Sequence, residues 1–326
     1  MDLLNALFKE NKLPVVPLMG FPGIQLTNTT IKQNLEDAQT QFKTIKALKE
    51  KFNPDAVLYM MDLSVEAEAL GLKINKPENE SYTVSEHPIT NIEELRKLKI
   101  PNPLKDGRMP LFVEVTKKMA KEFPDVPKIA YVIGPYTLVG LMTGAENTVI
   151  NSMMEVEFVH EELNFAVEVI KRYGDALIEA GADALCILEP TATVLSPAMF
   201  EEFSGNYVKQ LKKYWNYPTI LHICGNTTHL IPSMVKTGCD GLSLDSDVSL
   251  RDVKFQIPDG VLIIGNLNPV STVAYGKREQ VEKEIRRLIE DMKDKKHFVL
   301  SSGCDIPGDA DLENIQLMFD VARGRI

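Results

Sequence analysis

The sequence predicts an α/β fold, a (β/α)8 TIM barrel forming a single domain over residues 1–326 with a lid-like insertion after the second strand. Three observations carry that expectation. Eight short apolar runs alternate with amphipathic stretches along the 326 residues. The runs are rich in Val, Ile, Leu and Tyr and close on Gly, Pro, Asp or Asn, as strands buried on both faces do. No glycine-rich phosphate fingerprint follows the first run, where "MGFPGIQL" departs from G-x-G-x-x-G. That disfavours the alternative, an open doubly wound sheet.

The elements follow in order. "VVPLMG" (15–20) is the first strand, and "NLEDAQTQFKTIKALKEKF" (34–52) a helix with Phe42, Ile45 and Leu48 at helical spacing. "AVLYMMDL" (56–63) is the second strand. The segment 64–110 exceeds an ordinary connection, and "GLKINKPENESYTVSEHPITN" within it is rich in polar and turn residues, hence the lid-like insertion. "KIAYVIGP" (128–135) and "ADALCILEP" (182–190) are the third and fourth strands. The helical stretch 195–215 opens on Ser-Pro, a cap followed by a residue suited to the first turn. "TILHICG" (219–225), "GLSLD" (241–245) and "VLIIGNLNP" (261–269) come next. A helix over 277–294 carries Val281, Ile285, Leu288 and Met292 on one face, and "FVLSSGC" (298–304) closes the series.

Composition narrows the function. The chain is 44% hydrophobic and 25% charged, with a net charge of −10, which argues against nucleic acid as a partner. No apolar stretch reaches the ~20 residues that span a bilayer. The start "MDLLNALFKENKLP" lacks the basic, apolar and small-residue order of a secretion signal. Four cysteines in so long a chain are no disulfide framework, so a cytoplasmic protein with free thiols is expected.

In a barrel the upper strand ends build the site. "LHICGN" (221–226) sets His222 and Cys224 two apart, on the same face of a strand. Cys304 ends the last strand, where barrel closure brings it near them. Two thiolates and an imidazole suit Zn²⁺, and three protein ligands leave a fourth position open, as catalytic sites do. Glu189 and Asp245 are the candidates for a displaceable fourth ligand, with Glu189 preferred because a carboxylate closing an apolar strand is costly to bury unpaired. Cys186 and Cys239 read as core residues, and His87, His160, His229 and His297 as surface ones.

"LHICGNTTHLIPSMVKTGCDGLSLD", "LEPTATVLSPAMFEEF" and "SSGCDIPGDADLENIQLMFDVAR" resemble the uroporphyrinogen decarboxylase-like superfamily. Within it they resemble the zinc-dependent, corrinoid-linked methyltransferases, which include methylcobamide:coenzyme M methyltransferases and the methyltransferase I components of bacterial O-demethylases. The resemblance implies a barrel with zinc on His222, Cys224 and Cys304. It also implies methyl transfer between a small-molecule heteroatom and the cobalt of a corrinoid carried by a partner protein. The decarboxylases bind porphyrin carboxylates with an arginine-rich N-terminal loop, whereas "LMGFPGIQL" here has no arginine.

Glu189, Asp62 and Tyr136 are the catalytic candidates. Coenzyme M carries a sulfonate, and the strand ends offer neither Arg nor Lys for it. Met19, Phe21 and Met61, with Tyr59, Met60 and Tyr136, form instead an apolar, aromatic mouth suited to a methoxyaromatic ether. Asp62, Glu66 or Asn266 is placed to hold a substrate hydroxyl. O-demethylation is therefore the favoured expectation. A thiol methyltransferase, a porphyrin decarboxylase and a non-catalytic corrinoid-binding module stand as alternatives.

Overall fold

The computed structural model describes residues 3–9 and 12–326. Residues 1, 2, 10 and 11, part of the N-terminal stretch whose character argues against a secretion signal, lie outside them. Seven parallel strands form one curled sheet: β1 (Val57–Leu58), β4 (Lys128–Ile133), β5 (Ala184–Leu188), β6 (Thr219–Ile223), β7 (Gly241–Leu244), β8 (Leu262–Leu267) and β9 (Phe298–Ser302), neighbours in that order. A separate antiparallel pair, β2 (Ile74–Asn75) and β3 (Thr83–Val84), lies in the insertion after β1. None of the described helices is long and apolar enough to cross a membrane.

The first expected strand, 15–20, shrinks to a single bridge. Val15 pairs in parallel with Leu300 of β9, Val16 N–H donates to Leu300 O and Leu300 N–H to Pro14 O, each at 2.9 Å. Pro14 and Pro17 carry no amide hydrogen, so a regular ladder cannot run through this segment. Asp55 closes the other side: its N–H donates to Val15 O at 3.1 Å, and its carboxylate accepts from Val15 N–H at 2.8 Å. The second expected strand, 56–63, keeps only two ladder residues. Beyond them the Tyr59 hydroxyl accepts from Tyr131 N–H at 2.9 Å, a side chain standing in for a backbone rung between β1 and β4. The barrel class holds, with its β9–β1 seam closed by side chains and one bridge.

Parallel register fixes what faces inward. Tyr131, Cys186 and Ile220 are neighbours across β4, β5 and β6, and Leu188, His222 and Ser243 across β5, β6 and β7. Leu18, Leu58, Ile129, Cys186, Ile220 and Val299 enclose a void of about 20 Å³ at the base of the barrel, which identifies their faces as the inner ones. The outer helices follow the sequence pattern with one break. Asp37 is extended and its carboxylate accepts from Thr40 N–H at 2.7 Å. That cap cuts the expected 34–52 helix into Ile31–Glu36 and Ala38–Phe52.

The insertion is anchored by Arg108. Its guanidinium is buried, pairs with Asp62 and Glu68, donates to Ser64 Oγ at 2.8 Å and lies 4.6 Å from the Tyr82 ring centroid. Removing the cation leaves the buried Asp62 carboxylate uncompensated. Arg108→Met is expected to lower stability by about 3–5 kcal/mol, and Arg108→Met with Asp62→Asn by less. Urea unfolding followed by circular dichroism checks both, and a single-variant loss below 1 kcal/mol would count against the anchor.

Candidate metal centre

β6 ends at Ile223, and the next residue, Cys224, is followed by Gly225 at φ +83°, a left-handed conformation that suits glycine. Gly225 N–H donates to Asp245 Oδ2 at 2.9 Å, tying this turn to the loop after β7. β9 ends at Ser302, and Gly303 then passes so near that loop that a Cβ would meet Ser246 N at 2.3 Å. Cys304 is delivered from this close approach.

Three donor atoms converge there. His222 Nε2 is 3.1 Å from Cys224 Sγ, Cys224 Sγ is 3.1 Å from Cys304 Sγ, and Cys304 Sγ is 3.9 Å from His222 Nε2. His222 Nδ1 meets Ser243 Oγ at 2.9 Å, which fixes the ring and leaves Nε2 toward the sulfurs. His222 is fully buried and both cysteines are half-buried. The sulfurs are too far apart for a disulfide, whose bond is about 2.05 Å. The contact with Cys224 lowers the Cys304 thiol, helped by His222, and the same contact raises the Cys224 thiol. Burial, then the charge of Cys304, pushes the Asp305 carboxyl well up.

Two sulfurs and an imidazole with its far nitrogen held form a zinc-type donor set. Tetrahedral coordination at ordinary Zn–S lengths sets two sulfurs about 3.7 Å apart, so the pair must part by well under an ångström. The residues therefore fit the ion. Among the described residues, the cluster contains no further His, Cys, Asp or Glu.

Several other candidates take different places. Glu189 is not free to serve as a fourth ligand. Its carboxylate accepts from Tyr136 N–H at 2.9 Å, Thr137 N–H at 2.8 Å and Ser204 Oγ at 2.8 Å, capping the helix Pro135–Thr143. Burial pushes its carboxyl up and these donors oppose the push. Asp245 is likewise held, by Gly225 N–H and by Ser246 and Asp247 of its own loop. Tyr136 turns away from the mouth, because a first-turn helical residue buries its ring, and its hydroxyl lies 3.1 Å from Ser152 Oγ. Asp62 is no free acid, being locked by Arg108 and Ser64. Met19 lies between the barrel and the helix Ala38–Phe52, beside Ile45 and Leu48. Met61, Tyr59 and Met60 are buried in the core. The Asn266 NH2 group donates to Asp245 O and Val248 O, at 2.8 and 2.6 Å. Phe21 does line an open cavity of about 920 Å³, with Gln25, Thr30, Glu80 and Asp305. Sequence reasoning missed Ser243, Gly303 and Asp305. Ser243 alone left a trace, the inward position beside His222 in "GLSLD".

The profile of the family described as Uroporphyrinogen decarboxylase (URO-D) matches residues 9–325. The chain belongs to the uroporphyrinogen decarboxylase family. Within that family it is 28% identical over 325 residues to the methylcobamide:CoM methyltransferase MtbA of Methanosarcina acetivorans, covering 94% of each chain. It is 29% identical over 272 residues to the methylcobamide:CoM methyltransferase MtaA of Methanosarcina barkeri, covering 81% of this chain and 78% of the relative. A solved methyltransferase from Methanosarcina mazei superposes with a TM-score of 0.90 at 26% identity, covering 99% of this chain and 97% of the other. This uroporphyrinogen decarboxylase family fold thus carries, at its β6 and β9 ends, a sulfur-rich donor set.

The donor set generates a direct expectation. Protein purified without chelator should hold about one zinc per chain by elemental analysis. Cys224→Ala and Cys304→Ala should lose it and keep their circular dichroism, while Cys186→Ala should keep both. Ser243→Ala should bind zinc roughly 10- to 100-fold more weakly in a chelator competition, through loss of the histidine's partner.

Proposed function

We propose that the chain moves a methyl group between the cobalt of a corrinoid held by a separate protein and the sulfur of a small thiol. It is a corrinoid-dependent methyltransferase whose site is the zinc-type triangle of His222, Cys224 and Cys304. The observation that carries this is that triangle, with no fourth His, Cys, Asp or Glu in its cluster among the described residues, in a chain similar over 94% of its length to a methylcobamide:CoM methyltransferase.

In the transfer, the thiolate sulfur forms the bond to the methyl carbon, the carbon–cobalt bond breaks, and its electron pair stays on cobalt. The thiol proton leaves to solvent. Zinc, when bound there, supplies the positive charge that keeps a thiol ionised near neutral pH. The chain's own residues do the positioning. Ser243 holds the His222 ring, Gly225 and Gly303 set the two cysteine loops, and an open cavity lies beside Asp305, the residue after Cys304.

The methoxyaromatic expectation gives way. It rested on an apolar, aromatic mouth, and Met19, Tyr59, Met60, Met61 and Tyr136 are packing residues instead. Nor does the site suit a porphyrin's carboxylates. Arg108, the one buried arginine among the described residues, is already neutralised by Asp62 and Glu68.

A turnover assay decides the matter. Zinc-loaded enzyme with methylcobalamin and either mercaptoethanesulfonate or 2-mercaptoethanol should bleach the methyl–cobalt absorbance and yield the methyl thioether. Cys304→Ala should be at least 1,000-fold slower, on the order of what loss of a reaction-centre group costs. Demethylation of a phenyl methyl ether by reduced corrinoid, with no turnover of either thiol, would sink the proposal.

A further inference from the structure

β6 ends at Ile223 and β9 at Ser302, so Cys224 and Cys304 both lie beyond the last residue of their strands. The two turns that carry them rest on one support. Gly225 N–H donates to Asp245 Oδ2 at 2.9 Å, and Gly303 passes close against the backbone of Asp245 and Ser246. Between these turns the two sulfurs stand 3.1 Å apart. That separation lies between two bonded arrangements. A shared zinc ion sets two sulfurs about 3.7 Å apart, and a disulfide sets them about 2.05 Å apart. An approach of about 1 Å closes the bond. It moves two side chains and their turns and leaves every strand in register.

Both cysteines are partly exposed, whereas Cys186 and Cys239 are buried. Cys186 lines the void at the base of the barrel. Cys239 stands before the start of β7, at the opposite end of the sheet from Cys224. Oxidation of a thiol follows its exposure. The fold therefore presents one pair of adjoining sulfurs to an oxidant and keeps the other two thiols apart from it.

We propose that Cys224 and Cys304 are also a reversible oxidation site: a peroxide closes a disulfide between them, and the closed pair no longer holds a metal ion. The first half rests on the sulfur contact alone, and the second on the zinc-type site described above. The step balances. One sulfur, as its thiolate, attacks a peroxide oxygen; the sulfur–oxygen bond forms, the oxygen–oxygen bond breaks, and the departing oxygen takes up protons and leaves as water. The second sulfur then attacks the first; the sulfur–sulfur bond forms, the sulfur–oxygen bond breaks, and a second water leaves. The pair gives up two electrons and two protons, and the peroxide takes them. Metal binding needs sulfur as thiolate. Disulfide sulfur carries no such charge, which leaves His222 as the one member of the triangle able to bind. The near neighbour also intercepts the sulfenic acid before the irreversible step to sulfinic acid, and an external thiol reopens the bond by exchange.

Metal-free protein, treated with hydrogen peroxide and then unfolded, should show its free thiols fall from four to two per chain. Its mass should drop by two hydrogens, with Cys224 and Cys304 joined in one cross-linked peptide, and its circular dichroism should not change. Dithiothreitol should restore the thiols. Zinc-loaded protein under the same treatment should release its zinc to a chromogenic chelator in step with the lost thiols, and rebind it after dithiothreitol. Cys304→Ser should take up oxygen on Cys224 and close no disulfide; Cys224→Ser serves if that variant fails to fold. Cys186→Ala should lose two thiols as wild type does. Thiols that stay at four, oxygen gained in place of hydrogen lost, or a cross-link to Cys186, to Cys239 or between chains would overturn the proposal, as would zinc that stays bound to the closed pair. Protein that holds no zinc before oxidation would overturn the metal site itself, and a disulfide closed in that protein would still uphold the pair.

Discussion

The contact between Cys224 Sγ and Cys304 Sγ depends on everything between them folding correctly. The two residues are 80 apart in sequence and 3.1 Å apart in space. Three successive parallel pairings, β6 with β7, β7 with β8 and β8 with β9, carry the chain from one to the other. Each pairing has a register, and a slip of one residue in any of them would turn His222 out of the barrel or carry Cys304 away from it. What holds register is burial: every residue of β4, β5, β6, β7, β8 and β9 is buried, so a slipped strand would lose packing on two faces at once. The hydrophobic effect, which has no chemical preference, is thereby made to place three chemically specific atoms.

The two buried polar centres above that scaffold are built on opposite principles. Around Arg108 every charge has its counter-charge on the chain: Asp62, Glu68 and Ser64 surround it, and the result is a clasp. Around Cys304 the described residues offer no cation: its sulfur meets Cys224 Sγ and His222 Nε2, and burial, then Cys304, raises the neighbouring Asp305 carboxyl. A closed network of this kind has nothing left to give a ligand. An open one gains from any cation that enters, because a bound ion relieves repulsion already present in the protein. The difference in electrostatic closure separates the structural centre from the candidate functional one more reliably than burial does.

Much of the fold was legible because its signals are local. Short β-rich runs, turn residues and helical spacing lie within a few residues of one another, and they fixed the barrel class and most elements. The proximity of His222, Cys224 and Cys304 was legible too, because a two-residue period and a strand-end rule suffice to predict it. The first two strands were overestimated because Pro14 and Pro17 act on the partner's ladder, a pairing that a single run does not display. Tyr136, Met19 and Tyr59 were misplaced for a related reason. An aromatic or Met residue at a strand end looks the same whether it faces the mouth or an outer helix, and only the packing of that helix distinguishes them.

Glu189 shows how a residue can be singled out correctly and assigned the wrong work. A wholly buried carboxylate at a strand end does require an explanation, and a metal would have been one. The structure supplies another. The carboxylate gathers two N–H groups from the start of the helix Pro135–Thr143, where the helix dipole favours negative charge, and the hydroxyl of Ser204. Its own N–H donates to His222 O at 2.9 Å. One side chain therefore knots the helix after β4, the stretch after β5 and the end of β6 directly behind the histidine. With its oxygens committed to that knot, Glu189 braces the end of β6 from behind His222 and has none to spare for the His222–Cys224–Cys304 triangle.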